Sequence, residues 1–241
     1  MLRRIAGVAG LGGVAGCVAP TTNDPPVRER SVAELGLPPD VCEEDVSGDP
    51  GIYAVVDPAF EGDWSGLAIP DRYDALTDDV GVVGLERDGR ARAYPLPVLW
   101  HHEIVNDDFG GPTMVTYCPL CRSGVVADRR VAGRTRDFLV SGLLWTPPRL
   151  QTRIREDDGT VFGADRSGEA EVRNQGNLVT YDRDTRSYWS QLLAEAICGP
   201  LQGAELRIRP STVATWGEWR ADHPDTEVLL PPPHSGTVAP R

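Results

Sequence analysis

Strand-type runs separated by short turns recur along this chain and restrict its fold more than any other feature. In VGVVGLERDGRARAYPL (80–96), Asp88-Gly89 separates two such runs, which is the strongest short-range signal for a β-hairpin. The other runs of this type are TMVTYC (113–118), GVVADRRVAGRTRDFLVSGLLW (124–145), turning at Ala132-Gly133, and NLVTYDRDTRSYWSQL (177–192), turning around Asp182 to Thr185. This pattern predicts a sheet structure built from antiparallel pairs.

Only two segments have the pattern of helices. They are LPVLWHHEIVND (96–107) and TVATWGEWRADHP (212–224), the second with Ser211 or Thr212 as its N-cap. Strand, helix and strand do not alternate at the spacing that a parallel sheet needs. We therefore expect one α+β domain over residues 51–230, made mainly of antiparallel β-hairpins with about two helices.

The N-terminal segment has the layout of an export signal. Arg3-Arg4 precedes an apolar run that is too short to span a bilayer, and Val14-Ala15-Gly16-Cys17 resembles the lipobox of prokaryotic lipoproteins. The alternative is a short apolar end with a chance cysteine. The favoured interpretation is an exported protein, anchored to the outer face of the cytoplasmic membrane by a lipid on Cys17, with 18–50 as an acidic, Pro-rich tether.

The charge balance excludes one class of partner. The chain has 36 acidic residues against 24 basic ones, all arginine, and a net charge of -12, which argues against nucleic acid. Acidic, lysine-free composition is typical of proteins from salt-loving prokaryotes. The Pro-rich end, 231–241, is predicted to be a disordered tail.

The pair Cys118 and Cys121 is the strongest candidate for chemistry. Two sulfurs at this spacing can bind one metal ion, can form a reducible disulfide, or can act only as a small covalent brace. A complete zinc ribbon would need a second such pair, and the chain has none. If the pair is redox-active, the neighbouring Arg122 could lower a thiol pKa.

His102 is a candidate third ligand. It shares the apolar face of its predicted helix and therefore points inward, close in sequence to the cysteines. With Cys118 and Cys121 it would form a three-ligand site for zinc, copper or iron, with Glu103 or Asp107 as an orienting or acid–base group. The alternative is a core histidine that only forms hydrogen bonds.

Three further features have both a functional and a structural interpretation. Ser141 is a candidate nucleophile but lacks the pattern of a hydrolase elbow and would otherwise end a strand. Trp189-Ser190-Gln191 could support a site or only pack and satisfy backbone groups. Cys42 and Cys198 could form a disulfide in an oxidising compartment.

Five motifs in order resemble the domain of unknown function 3179 family over about residues 75–230. They are ARAYPLPVLWHHEIVND, VTYCPLCRSGVVADR, FLVSGLLW, NLVTYDRDTRSYWSQLLAEAICGPLQG and TWGEWRADHPDTEVL. The resemblance implies no particular reaction. The positions that it implies belong to the pattern are His102, Glu103, Asn106, Cys118, Pro119, Cys121, Ser141, Gly142, Tyr181, Asp182, Trp189, Ser190 and Gln191.

The chain departs from the family's pattern in three places. Cys198 stands where the family has another residue type, and His101 stands where it has tryptophan. Residues 146–176 are interpreted as an insertion, because the family passes from the SGLL motif almost directly to NLVTYD.

Two classes of function follow from these observations. The first is an extracytoplasmic metal-centre or thiol-redox protein that uses Cys118, Cys121 and His102. The second is a non-catalytic binding or structural module in which the cysteine pair is an oxidised brace. The sequence leaves open whether the protein is an enzyme.

Overall fold

The computed structural model describes residues 31–32, 34–35, 40–43, 51–145 and 177–239. The export signal with Cys17, most of the predicted tether, the predicted insertion at 146–176 and the last two residues lie outside the described residues.

A five-stranded central sheet runs through the middle of the domain, with strand order β16-β1-β5-β6-β7. Its strands are β1 (Ala54–Asp57), β5 (Ile104–Asp108), β6 (Pro112–Cys118), β7 (Ser123–Asp128) and β16 (Gly236–Val238). All neighbours are antiparallel except β1 and β5, which are parallel.

A second five-stranded sheet has the order β14-β3-β4-β15-β2. Its strands are β2 (Phe60–Glu61), β3 (Gly81–Arg87), β4 (Arg90–Pro95), β14 (Thr212–Thr215) and β15 (Glu227–Leu229). β3 and β4 form the predicted hairpin. Asp88 and Gly89 at its turn both have positive φ, as a two-residue type I′ turn requires.

A third sheet has four antiparallel strands in the order β10-β11-β12-β13, and a small hairpin lies beside it. The strands of this sheet are β10 (Phe138–Trp145), β11 (Asn177–Asp182), β12 (Tyr188–Ser190) and β13 (Glu195–Cys198), and those of the hairpin are β8 (Arg130–Val131) and β9 (Arg134–Thr135). The predicted turn at Ala132-Gly133 is correct. The strands beyond it do not pair with each other, because β7 joins the central sheet and β10 the third.

The central sheet is covered on both faces. Alternate residues of its strands contribute to two separate apolar cores. The core shared with the second sheet receives Val55, Val105, Val115 and Val126, and the core shared with the third sheet receives Ala54, Ile104, Met114 and Ala127.

Two helices cover the second sheet, α1 (Leu96–His102) and α2 (Trp216–Asp222), and a 3-10 turn spans Asp71–Tyr73. The prediction of a helix over 96–107 is therefore too long, since α1 ends at His102 and Ile104–Asp108 pair with β6. α2 begins later than predicted, because Thr212–Thr215 form β14 and Thr215 is the N-cap in a capping box with Glu218. The α+β prediction is confirmed.

Both ends of the described chain pack on the domain more than predicted. Gly236–Val238 pair with β1, and Ser235 is buried, so the prediction of a tail beginning at 231 is wrong. Val41 lies in a small core with Val179 and Ile197, which attaches part of the predicted tether. Among the described residues, no helix is long and apolar enough to cross a bilayer.

Close packing between β3 and α2 gives a test of this fold. A Cβ at Gly84 would overlap the indole ring of Trp219, whereas a Cβ at Gly62 would meet nothing. We expect Gly84→Ala to lower the free energy of unfolding by about 1–3 kcal/mol and Gly62→Ala to change it little, as measured by urea denaturation. Equal stability of the two variants would contradict the close approach of β3 to α2.

Candidate functional site

The cysteine pair lies in the loop between two strands of the central sheet. Cys118 is the last residue of β6 and pairs with Ser123, the first residue of β7, so Cys121 belongs to the connecting turn. The two sulfurs are at disulfide distance and the Cα atoms are 5.2 Å apart. Both cysteines are buried, Cys118 completely and Cys121 with 7% of the residue exposed, so Cys121 is the less buried of the two.

A backbone donor points at the buried sulfur. The N–H of Cys121 donates to the Sγ of Cys118 at 3.1 Å. A donor in this position stabilises negative charge on the sulfur if the disulfide is opened. This donor offsets part of the desolvation that a thiolate would meet at the completely buried position of Cys118.

Gln191 joins the third sheet to both strands that hold the cysteines. Its Nε2 donates to Thr116 Oγ1 at 2.9 Å and to the Ser123 carbonyl at 3.2 Å, and its Oε1 accepts from Ser123 Oγ at 3.2 Å. Its backbone N–H donates to the carbonyl of Leu178, which packs against the two cysteines. Gln191 thus fixes the position of the loop that contains the disulfide.

Three exposed leucines are linked to the disulfide loop, one by its position in the chain and two through the hydrogen bonds of Gln191. Leu120 is inside the ring that the disulfide closes, and Leu192 and Leu193 follow Gln191 directly. Their exposed fractions are 50%, 61% and 38%. Large apolar side chains at this exposure are suited to contact with another polypeptide.

His102 is buried, as its helix face predicts, but both of its ring nitrogens have protein partners. Nε2 lies 2.7 Å from the hydroxyl of Tyr73, and Nδ1 lies 2.7 Å from the carbonyl of Tyr53. Because a carbonyl only accepts, Nδ1 carries the proton and Nε2 accepts from Tyr73. Burial lowers the pKa of His102, with the hydrogen bond to Tyr53 acting in the opposite direction. His102 is therefore a neutral, hydrogen-bonded core residue.

The predicted metal-ligand set does not fit this geometry. Within the described part of the chain, no three His, Cys, Asp or Glu side chains are grouped closely enough to hold a metal ion. The sulfurs of Cys118 and Cys121 are paired with each other, and His102 bonds to two tyrosines. Zinc, copper or iron at these three residues would require both sets of contacts to be broken.

Asp107 is not available to orient an imidazole. Both of its carboxylate oxygens accept from Arg92 at 2.8 Å, and one also accepts from the Tyr94 hydroxyl at 2.6 Å. This buried ion pair faces the second sheet, away from the core that the third sheet covers. Its role is to satisfy Arg92, which also contacts Glu227.

Glu103 is a buried acid whose pKa is governed by burial. It ends α1 with a positive φ of 55°, and its carbonyl accepts from the N–H of Tyr117, the residue before Cys118. The residue is 5% exposed, and no hydrogen bond or charge among the described residues offsets the effect of burial on its carboxylate. Burial raises the pKa of Glu103 to about 7. A carboxyl group with this pKa can donate or accept a proton near neutral pH.

The remaining predicted site residues bond to the protein itself. Ser141 lies at a bulge in β10, where its hydroxyl donates to the carbonyl of Val179 and accepts the N–H of Leu143, so it is a structural residue and not a free nucleophile. Asn106 bonds to the backbone of Val55 and Phe138 and so joins the central and third sheets.

Asp182, Trp189 and Ser190 hold the β11–β12 turn and its surroundings. The carboxylate of Asp182 accepts from Thr185 and from the indole N–H of Trp189. The hydroxyl of Ser190 accepts from Asn177 at 2.6 Å. These side chains support the fold of the third sheet.

Sequence reasoning missed Thr116 and Ser123, which hold Gln191, and Tyr73, which holds His102. Thr116 stands two residues before Cys118 on the same strand. Because side chains alternate between the two faces of a strand, Thr116 could have been predicted to share a face with Cys118. Ser123 and Tyr73 carried no comparable signal, because their partners come from distant parts of the chain.

The second disulfide has a different character. Cys42 is bonded to Cys198 across 156 residues, with Cα atoms 5.5 Å apart, whereas Cys118 and Cys121 are separated by three residues. By restricting the unfolded chain, closure of the long loop contributes about 5 kcal/mol to stability and closure of the short loop about 2 kcal/mol. The long-range bond is therefore the more stabilising of the two.

This difference can be measured directly. We expect the Cys42→Ala/Cys198→Ala variant to lose about 2–5 kcal/mol of unfolding free energy in urea, and the Cys118→Ala/Cys121→Ala variant to lose about 2 kcal/mol or less. A larger loss for the short pair would mean that it acts mainly as a brace.

The raised pKa of Glu103 predicts that the stability of the fold depends on pH. The unfolded chain releases the Glu103 proton near pH 4.5 and the folded chain near pH 7, so stability falls as pH rises through that window. We expect Glu103→Gln to match the original protein at pH 4.5 and to be more stable by up to about 3 kcal/mol at pH 8 in urea denaturation. The exposed-site control, Glu61→Gln, should show no such gain, and an equal gain in both variants would exclude Glu103 as the cause.

Comparison with known proteins identifies the family to which this chain is related. The family model described as "Protein of unknown function (DUF3179)" matches residues 50–147 and 166–237, which include both cysteines of the pair, Glu103 and Gln191. Residues 148–165, between the matched parts, lie in the segment predicted as an insertion, whose bounds stay a prediction. No curated protein and no solved structure matches the chain. Because the matched residues make up most of its length, the chain belongs to the DUF3179 family.

Proposed function

We propose that this protein is an extracytoplasmic thiol–disulfide redox protein whose reactive group is the Cys118–Cys121 pair. The observation that carries the proposal is the geometry of that pair: Cys121 lies in a turn between two exposed residues and is the less buried cysteine, and a backbone N–H is directed at the sulfur of Cys118. Exchange requires a sulfur that a thiolate can reach and a leaving sulfur that can hold negative charge, and Cys121 and Cys118 are the candidates for these two roles.

The size of the closed loop also favours redox chemistry over a structural brace. Closing a loop of three residues contributes about 2 kcal/mol, whereas the Cys42–Cys198 bond contributes about 5 kcal/mol. The domain therefore gains most of its covalent stabilisation elsewhere, and the short pair is free to be opened and closed.

Glu103 is the acid–base group of this proposal. Its carbonyl is bound to the residue before Cys118, and burial raises its pKa to about 7. A carboxyl with this pKa can give a proton to a thiolate near neutral pH, and the bond to Tyr117 places the backbone of Glu103 beside the strand that ends at Cys118. The exposed side chain of Arg122 follows Cys121 and adds positive charge to the loop.

The location that we propose is the outer face of the cytoplasmic membrane, with a lipid on Cys17. The Cys42–Cys198 disulfide supports an exported location, because disulfides of this kind persist in oxidising compartments. The exposed leucines Leu120, Leu192 and Leu193 support polypeptide thiols as the substrates, since Leu120 lies within the disulfide ring and the other two directly follow Gln191, which bonds to the strands that hold the cysteines.

The second candidate function is a non-catalytic binding or structural module. It is favoured by the burial of Cys118, which keeps one end of the bond out of contact with solvent. The two candidates differ in whether the bond can be opened while the domain stays folded.

The deciding experiment uses the full chain with Cys17→Ser, which removes the only cysteine outside the two pairs. The protein is equilibrated in dithiothreitol redox buffers without denaturant, and free thiols are alkylated and located by mass spectrometry. We expect Cys118 and Cys121 to be reduced together, as a two-electron couple, while Cys42–Cys198 stays oxidised.

The matched control is the Cys118→Ala/Cys121→Ala variant, in which no thiols should appear under the same conditions. If the short pair is reduced only in denaturant, the redox proposal fails and the structural module is supported.

A further inference from the structure

We infer that a substrate thiolate attacks the sulfur of Cys121 and that Cys118 is the leaving sulfur. This inference rests on the proposed function and specifies the direction in which the bond is opened. The second cysteine of the CxxC motif is thus the one that forms the covalent link with the substrate.

Access is the first reason. Attack on a disulfide proceeds at one of its two sulfurs, and the attacked sulfur must be reachable. Cys118 is completely buried at the end of β6 and packs against Leu178, which is also buried, whereas Cys121 lies in the turn and is 7% exposed. The Cys121 end of the bond is therefore the one nearer to solvent, and attack is expected there.

The position of each cysteine in the fold is the second reason. Cys118 is held in the sheet by its pairing with Ser123, and Gln191 ties that strand pair to the third sheet. Cys121 lies between the exposed side chains of Leu120 and Arg122, outside the ladder. The rigid part of the loop thus holds the leaving sulfur, and the part at the surface holds the attacked one.

Charge stabilisation is the third reason. When the bond breaks, the electron pair goes to the leaving sulfur, and that sulfur must accept negative charge. The N–H of Cys121 already donates to Cys118 Sγ at 3.1 Å, and this bond becomes stronger when the acceptor is charged. The described residues include no donated hydrogen bond to the sulfur of Cys121.

The chemical steps balance with a polypeptide dithiol as substrate. Its first thiolate attacks Cys121 Sγ, forming a mixed disulfide and releasing the Cys118 thiolate, which takes up a proton. Its second thiolate then attacks the substrate sulfur of the mixed disulfide and releases the Cys121 thiolate. The protein gains two electrons and becomes a dithiol, and the substrate leaves as a disulfide.

Single-cysteine variants test this order. In the full chain with Cys17→Ser, we compare Cys118→Ala, which keeps Cys121, with Cys121→Ala, which keeps Cys118. The probe is 5,5′-dithiobis(2-nitrobenzoate), whose mixed disulfide with the protein is followed by absorbance and located by mass spectrometry. We expect the variant that keeps Cys121 to react at least about tenfold faster, because Cys121 is the less buried residue and lies in the turn outside the strand ladder.

A second measurement uses a synthetic peptide with two cysteines as the dithiol and the oxidised wild-type pair as the oxidant. Rapid acid quenching should trap the peptide on Cys121 and not on Cys118. Before the rates of the two single-cysteine variants are compared, each variant must retain the Cys42–Cys198 bond. Each must also unfold at the midpoint expected for loss of the short pair. A difference in rate between them then reports on access to the sulfur.

The outcomes separate this inference from the proposed function. Faster reaction of the Cys118 thiol, equal rates in the two variants, or a peptide trapped on Cys118 would overturn the order of attack and leave the redox function intact. If the wild-type pair is not reduced in the folded protein, both proposals fail together.

Discussion

The central sheet is the constraint on which the rest of the structure depends, because both of its faces are buried. Each strand must supply apolar residues to two cores, and it does so alternately, with Val105 on one face and Ile104 on the other. A polar side chain in such a strand has no access to water and must bond to the protein. On the face toward the third sheet, Asn106 bonds to the backbone of Val55 and Phe138. On the opposite face, Asp107 bonds to Arg92 and Tyr94.

This constraint explains which polar residues of the family pattern are structural. Asn106, Ser141, Asp182 and Gln191 all have partners that belong to the fold, and they hold the sheets to one another. Glu103 and the Cys121 sulfur differ from them in having no such hydrogen-bond partner among the described residues. His102 and Glu103 are neighbours in the chain. Both ring nitrogens of His102 are hydrogen-bonded, so it is a structural residue. The pKa of Glu103 is raised by burial, so it is a candidate for chemistry.

The fold class and the local turns could be predicted from the sequence because they depend on local chemistry. Asp88-Gly89 determines its own turn, and the strands on either side of it follow. The end of α1 could not be predicted, because Ile104, Val105 and Asn106 fit the apolar pattern of a helix as well as that of a strand, and pairing with β6 decides between them. The assignment of β7 and β10 to different sheets likewise depends on partners far away in the sequence.

The candidate site shows the same division. The two cysteines could be recognised from their spacing alone, and the inward direction of His102 followed from its helix face. The metal-ligand set could not be tested from sequence, because it required knowing that Tyr53 and Tyr73 occupy both nitrogens of His102. The raised pKa of Glu103 could not be predicted either, since it depends on how the surrounding sheets bury the carboxyl group.

The bond between Cys42 and Cys198 also determines where force enters the domain. If the chain is held at Cys17 as proposed, tension on the N-terminal segment passes through Cys42 into β13 of the third sheet and not into β1 of the central sheet. Val32 and Leu35 pack against the same small core as Val41, so this route of force stays with the third sheet. It reaches the cysteine pair through the contacts that join the third sheet to the central one, among them the hydrogen bonds of Gln191.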